Sequence, residues 1–388
     1  MDNRADPTTL NKLLSSFIRI PSVNPDGDPG TEQENTGEYE MARAVGNFLE
    51  KIGAEVWYDE VEPDRPNVIG RFPGFEGKPQ ILLGPHLDTV GVGGMTVDPF
   101  GGQRRDGKIY GRGASDTQGT LAAMLWALSE IGSEKIRDLD IGVTFVGYMG
   151  EETGQPGSRH FAKQYGSEYD FALVGEPTGN DLVYRHKGTL WLKIKSMGQA
   201  AHGSMPDRGD SAISKMVELI ILLESDFRED FLSSEYFDEL LGYPTINIGV
   251  ISGGTRTNIV SEECTIEIDF RLTPQLGGED ALKLFKKFLS NHNFNEIKID
   301  IKLRCEPLNT PADNPFIKGL SNLSNDPKLV GAPWFCDAAV LSAEGGIPAV
   351  AAGPGHIDQA HTADEWIKET DLAAGALFYK EFLERAKA

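Results

Sequence analysis

A chain of 388 residues exceeds what one hydrophobic core organises, so two domains are expected. Its formal net charge of -22 at pH 7 argues against nucleic acid or an anionic membrane surface as partner, because both select basic patches. No run approaches ~20 uninterrupted apolar residues, so no membrane span is expected.

The N-terminal stretch lacks a basic segment followed by an apolar one, which points away from export. Cys264, Cys305 and Cys336 are too few and too far apart for a disulfide framework and read as small buried residues of a cytoplasmic protein.

In chain order, residues 8–20 have helical apolar spacing. A second helix is predicted over about 35–52, with Met41, Val45, Phe48, Leu49 and Ile52 on one face. The run Ile81-Leu82-Leu83 then leads into His86 and Asp88. Residues 117–131 read as a helix directly after Ser115-Asp116. Residues 141–148 lead into Glu151-Glu152, Phe171-Ala172-Leu173-Val174 into Glu176, and residues 347–352 into a Gly-rich loop ending at His361. Such runs, bounded by Gly and Pro, read as buried strands of a mostly parallel sheet. In open α/β sheets the ligand crevice lies outside the carboxyl ends of the strands, so four runs deliver polar side chains to one edge.

Near Tyr184 the pattern changes to period-two alternation. Strands centred on Leu190-Leu192-Ile194, Ile246-Ile248-Val250, Ile266-Ile268-Phe270 and Ile297-Ile299-Ile301 are interleaved with helices over 213–223 and 282–289. The order β-α-β-β-α-β is that of a ferredoxin-like unit. The expected fold is therefore an α/β domain, 1–184 and 305–388, with helices on both faces of a mostly parallel sheet, interrupted by a ferredoxin-like α+β insertion at 185–304.

Two histidines with several carboxylates form the mixed nitrogen and oxygen donor set that a pair of zinc-like ions prefers. Each residue taken alone has a plainer reading. His86 could be a loop histidine, Asp116 an N-cap, Glu151-Glu152 a surface pair and Glu176 a turn residue before Pro177.

The motifs Gly84-Pro85-His86-Leu87-Asp88-Thr89-Val90, Gly111-Arg112-Gly113-Ala114-Ser115-Asp116, Gly150-Glu151-Glu152, Gly175-Glu176-Pro177-Thr178 and Ala360-His361-Thr362-Ala363-Asp364-Glu365 resemble, in this order, those of the M20-type metallohydrolases. That family includes acetylornithine deacetylase, succinyl-diaminopimelate desuccinylase, aminoacylases and glutamate carboxypeptidases.

The resemblance implies that His86, Asp116, Glu152, Glu176 and His361 hold two divalent ions, zinc foremost, with cobalt or manganese as alternatives. Asp116 would bridge them and precede a cis peptide at Asp116-Thr117. Three carboxylates and a hydroxide would balance two dications, whereas one would leave a buried anion unpaired. Asp88 would orient His86, and Glu151 would stay free as general base.

The insertion would serve as lid and dimerisation domain, with His202 reaching the partner's site in a homodimer to stabilise an oxyanion. Asn258 and Arg271 would bind substrate, Arg271 through its carboxylate. On spacing alone His202 reads as a surface histidine and Arg271 as an exposed strand residue. The implied activity is hydrolysis of the amide bond of an N-acyl amino acid by a metal-bridging hydroxide, closest to acetylornithine deacetylase. The alternatives are a dipeptidase or carboxypeptidase of the same family, or a binding protein without catalysis. Ser211, the Ile259-Val260-Ser261 run and the bulky Trp334-Phe335-Cys336-Asp337 depart from common family patterns, which leaves the substrate open.

Overall fold

The computed structural model describes residues 7–26 and 31–387; residues 1–6, the head of the stretch read for an export signal, lie outside them. The chain divides into two compact units. One comprises Met1–Tyr184, Thr310–Val330 and Cys336–Ala388; the other comprises Arg185–Asn309 and Gly331–Phe335.

The first unit is built on a mixed sheet. Its strands run in the order Glu55–Glu62, Arg65–Arg71, Gly142–Gly147, Gln80–Pro85, Phe171–Gly175 and Ala349–Ala351, and Leu182–His186 joins antiparallel where the chain leaves the unit. The four central strands are parallel, with Leu83 opposite Phe145 and Leu173, and Val350 opposite Leu173. They are buried almost throughout, which explains their continuous apolar runs. The helix Gln118–Ile131 is buried nearly all round and packs against Glu369–Arg385.

The start of the second helix moves. The second helix spans Tyr39–Lys51 rather than starting near 35. Gly37 adopts φ 93° and donates its N–H to the Val23 carbonyl at 2.8 Å, a turn that no helical residue can make, so the helix begins beyond it.

The second unit is a four-stranded antiparallel sheet in the order Thr245–Gly253, Glu263–Leu272, Gly188–Met197, Lys298–Cys305, with helices Ala212–Leu222 and Gly278–Asn291 packed on it. This is the ferredoxin-like order. Phe227, Phe231, Phe270, Phe285 and Phe288 form its aromatic centre, with ring centroids 5.0–5.9 Å apart. Period two fails at two places. Val250 is 52% exposed because the register shifts between Ile248 and Val250; Ile301, 45% exposed, is the last residue before a second shift, between Ile301 and Leu303. A bulge reverses which face the following residues occupy.

His186 supplies a test of this unit. The imidazole is fully buried, and that burial holds its pKa down to about 4, although the Lys187 carbonyl, 2.9 Å from Nδ1, works the other way. In the unfolded chain an imidazole titrates near 6.5. As pH falls from 6.5 to 4, the unfolded state takes up a proton that the fold refuses. Stability is therefore complete above pH 6.5 and declines through this window, by about 3 kcal/mol in all. His186→Gln should flatten that part of a urea-unfolding profile against pH; an unchanged profile would mean that His186 protonates freely in the fold.

No helix among the described residues is long and apolar enough to cross a membrane. All three cysteines are buried thiols.

Candidate metal centre

The parallel register brings the site residues to one level. Pro85 lies opposite Gly175, so His86 and Glu176 leave adjacent strands together. A further bridge pairs His86 with Tyr148, just ahead of the Glu151-Glu152 turn. Gly84 permits this approach, since a Cβ there would come within 2.5 Å of the Tyr148 ring.

The acidic turn is held by two buried carboxylates, Glu38 and Asp88. Gly150, at φ 73°, donates its N–H to Glu38 Oε1 at 3.1 Å, and Glu38 is locked by two 2.7 Å bonds from Arg65. Asp88 is fully buried and accepts the amides of Glu151 and Glu152, each at 3.0 Å, and the Asn24 side-chain amide at 2.8 Å. The His86 Nδ1 lies 2.9 Å from the Asp88 carbonyl oxygen and 3.4 Å from its carboxylate. Asp88 thus fixes the His86 ring mainly through its backbone, and its carboxylate holds the turn.

Asp116 is delivered by a loop bound to Glu365. The two Glu365 oxygens accept from Ser115 N–H (2.9 Å), Asp116 N–H (3.0 Å), Gly113 N–H (3.1 Å) and Arg112 Nη1 (2.8 Å). The following Asp116-Thr117 peptide is cis. Thr117, not Asp116, is the N-cap of the next helix, so the Asp116 carboxylate is not used for capping. One of its oxygens lies 3.2 Å from His86 Nε2 and the other 3.4 Å from His361 Nε2. His361 Nε2 is also 3.2 Å from Glu152. His361 itself adopts φ 61°, the left-handed region.

Donor atoms of His86, Asp116 and Glu152 all lie within 4.8 Å of one another, close enough for one small cation to reach all three. Glu152 Oε1 is buried with no hydrogen-bond partner among the described residues, an orphan acceptor of the kind a cation would satisfy. Glu176 is outside this triplet but buried beside it.

The electrostatics match the geometry. Burial, then repulsion from Asp116, raises the Glu152 and Glu176 carboxyls; burial also raises Glu151 well above its ordinary value, with Glu176, Asp337 and Glu152 adding repulsion. Burial would raise Asp116 too, but the flanking imidazoles of His361 and His86 hold it far below. The same carboxylates, Asp116 first and then Glu152, lift His361 to about 10. Crowded anions around two imidazoles suit divalent cations, and the residues fit such a centre.

The remaining predicted residues lie in the second unit. His202 is exposed, with Nδ1 2.8 Å from Ser204 Oγ. It bridges to Ile259, and the adjacent Gly203 amide bonds the Asn258 carbonyl at 2.8 Å, so His202 and Asn258 are neighbours. Arg271 bonds Asp269 at 2.9 Å and stacks on Phe335 at 5.4 Å.

Sequence reasoning assigned no role to Asn24, Glu38, Arg65, Gln155, Asp337 or Glu365. Asp337 is buried at the start of helix Asp337–Ala343, accepts Ser158 Oγ at 2.5 Å and is raised to about 7 by burial. Of the six, Glu365 carried a signal as the last residue of the motif containing His361, and Asp337 only as the end of the bulky run Trp334-Phe335-Cys336-Asp337.

Residues 82–385 match the pattern of peptidase family M20/M25/M40. An acetylornithine deacetylase from Proteus mirabilis is 30% identical over 371 residues, covering 92% of each chain. A probable carboxypeptidase from Aspergillus clavatus is 30% identical over 409 residues, 99% of this chain and 91% of the relative. Among solved structures, an M20 family metallo-carboxypeptidase from Sulfolobus solfataricus superposes with TM-score 0.79 at 21% identity, covering 97% of this chain and 98% of that one. The chain therefore belongs to peptidase family M20/M25/M40 and is a metal-dependent amidohydrolase.

Proposed function

We propose that the chain hydrolyses the amide bond of an N-acyl amino acid, in the manner of an acetylornithine deacetylase, at a centre of two divalent cations. The carrying observation is the division of labour in one turn. Glu152 faces His361 and Asp116, while its neighbour Glu151 is directed instead toward the Gln155 amide. Likeness to the Proteus mirabilis deacetylase over 92% of both chains supports the substrate class.

His86, Asp116, Glu152, Glu176 and His361 would hold the cations, with Asp116 shared; zinc fits these donors, as do cobalt and manganese. When bound, the cations would supply Lewis acidity and lower the pKa of a nearby water. Glu151 removes a proton from the attacking water and returns it to the departing amine, so the amide yields one carboxylate and one amine. Asp88 keeps the His86 ring and the acidic turn in register. Arg271 pairs with the substrate carboxylate, aided by Asn258. The insertion at 185–304 acts as lid and dimerisation domain, and His202 of the partner subunit steadies the developing oxyanion. The buried thiols suit a reducing cytoplasm.

A second reading, a carboxypeptidase, is supported by the 30% identity to the Aspergillus clavatus relative across 99% of this chain. Amine release from N-acetyl, N-succinyl and longer N-acyl amino acids and from dipeptides separates the two. The protein would be loaded with zinc, cobalt or manganese, with a chelated control and its solution mass measured in parallel. Chelator-sensitive release from one acyl amino acid is the expected result. Release from dipeptides alone would replace the first reading with the second, and a fully active monomer would exclude His202 acting across a dimer.

A further inference from the structure

Between the acidic turn and the helix Pro156–Tyr165 lies a short loop whose chemistry the proposed mechanism does not use. Its last residue, Gln155, is fully buried and adopts φ 63°, ψ 40°, a left-handed conformation uncommon for glutamine. Its N–H closes the turn by bonding the Gly150 carbonyl at 3.0 Å. The loop is stapled at both ends by buried Asn67, whose side chain accepts the Met149 amide at 3.0 Å and donates to the Gly157 carbonyl at 2.9 Å. Gly157 N–H in turn bonds the Met149 carbonyl at 3.1 Å. The Gln155 backbone is therefore fixed, and from it the side-chain amide reaches back to Glu151, with Nε2 3.3 Å from Oε1.

We propose that Gln155 is a positioning residue for Glu151. Its amide anchors one carboxylate oxygen and leaves the other facing the reacting water. A half-buried glutamate with two free oxygens could rotate, and other carboxylates nearby repel it. A single neutral donor on a fixed loop selects one rotamer without adding a cation that would compete with metal. Misplacing a reacting group by about 1 Å can cost ~10²-fold in rate. The proposal rests on Glu151 being the base.

The test is steady-state kinetics of zinc-loaded Gln155→Met and Gln155→Asn on N-acetylornithine, or on whichever acyl amino acid or dipeptide is turned over fastest. Metal content and thermal melting are measured for each, and Glu151→Gln is run alongside. Met keeps the side-chain length but cannot donate; Asn tolerates the left-handed backbone and keeps an amide but falls short of Glu151. Both should lower kcat about 10- to 100-fold, with KM within threefold and metal content unchanged. Wild-type kcat in Gln155→Asn would overturn the proposal by assigning Gln155 a backbone role only, as would a loss confined to KM or to bound metal. If Glu151→Gln itself turns over normally, the base assignment fails instead, whatever the Gln155 variants do.

Discussion

Glu151→Gln should reduce turnover by about 10²- to 10⁴-fold while leaving metal content and fold intact. The amide is isosteric with the carboxylate, and the backbone N–H of residue 151 keeps its bond to Asp88. The new carbonyl can still accept from Gln155, so the turn that also carries Glu152 has no reason to move. Only proton uptake from water is lost. The sign of the effect on stability is opposite to that on activity. Burial raises the Glu151 carboxyl, with Glu176, Asp337 and Glu152 repelling it. A carboxyl whose folded pKa lies above the unfolded value contributes most below pH ~4.5, and that contribution is lost as pH rises through the folded value. At neutral pH, chelated Glu151→Gln should therefore melt no lower than the chelated parent. Turnover within threefold of the parent would move the base elsewhere, and a drop in bound metal would class Glu151 as a ligand.

The parts of this molecule that were legible in the sequence are those encoded locally. Buried parallel strands leave unbroken apolar runs between Gly and Pro, so Ile81-Leu82-Leu83 and Phe171-Ala172-Leu173-Val174 could be placed, and with them His86 and Glu176 at their ends. Alternation likewise marked Leu190-Leu192-Ile194 in the second unit. Alternation could not reveal the irregularities at Gly249 and Lys302, because a bulge depends on a partner strand's register rather than on its own composition. The π-helical turn Leu223–Phe227, which prolongs an otherwise well-marked helix, was equally silent. So was the return of Gly331–Phe335 to the second unit. The supports of the centre were the least legible of all. Asn24 reaches Asp88 across 64 positions, and Glu365 reaches the Asp116 loop across about 250. No periodicity records such bonds. Gln155 was missed for a different reason: it is only four residues from its target, but its left-handed backbone is not implied by its residue type.

Glu365→Ala should cost the cation-free protein about 3–5 kcal/mol, comparable to truncating a large core side chain and a large share of a domain's stability. Glu365 is fully buried, and its two oxygens take up four N–H groups, three of them from the backbone at Gly113, Ser115 and Asp116. Burial pushes its pKa up to about 7 against the pull of Arg112, so the stability tied to its protonation is already lost at pH 8. The expected cost there rests on the ionised carboxylate's hold on its four donors. Removing it leaves the Arg112 guanidinium buried and bonded, among the described residues, to the Gly91 carbonyl alone, and three amides without their acceptor. The same loss frees the loop that aims Asp116 at both His86 and His361, so metal affinity should fall about 10- to 100-fold, as it does when partners of metal ligands are removed. Chelated melting at pH 8 and a zinc titration read the two effects separately. Glu279→Ala, which breaks an exposed pair with Lys283, is the control and should change neither. A Glu365→Ala protein that melts like the parent would show that the loop is held by its own backbone. One that melts low but binds zinc normally would separate support of the fold from support of the centre, and Glu365 would then belong to the first alone.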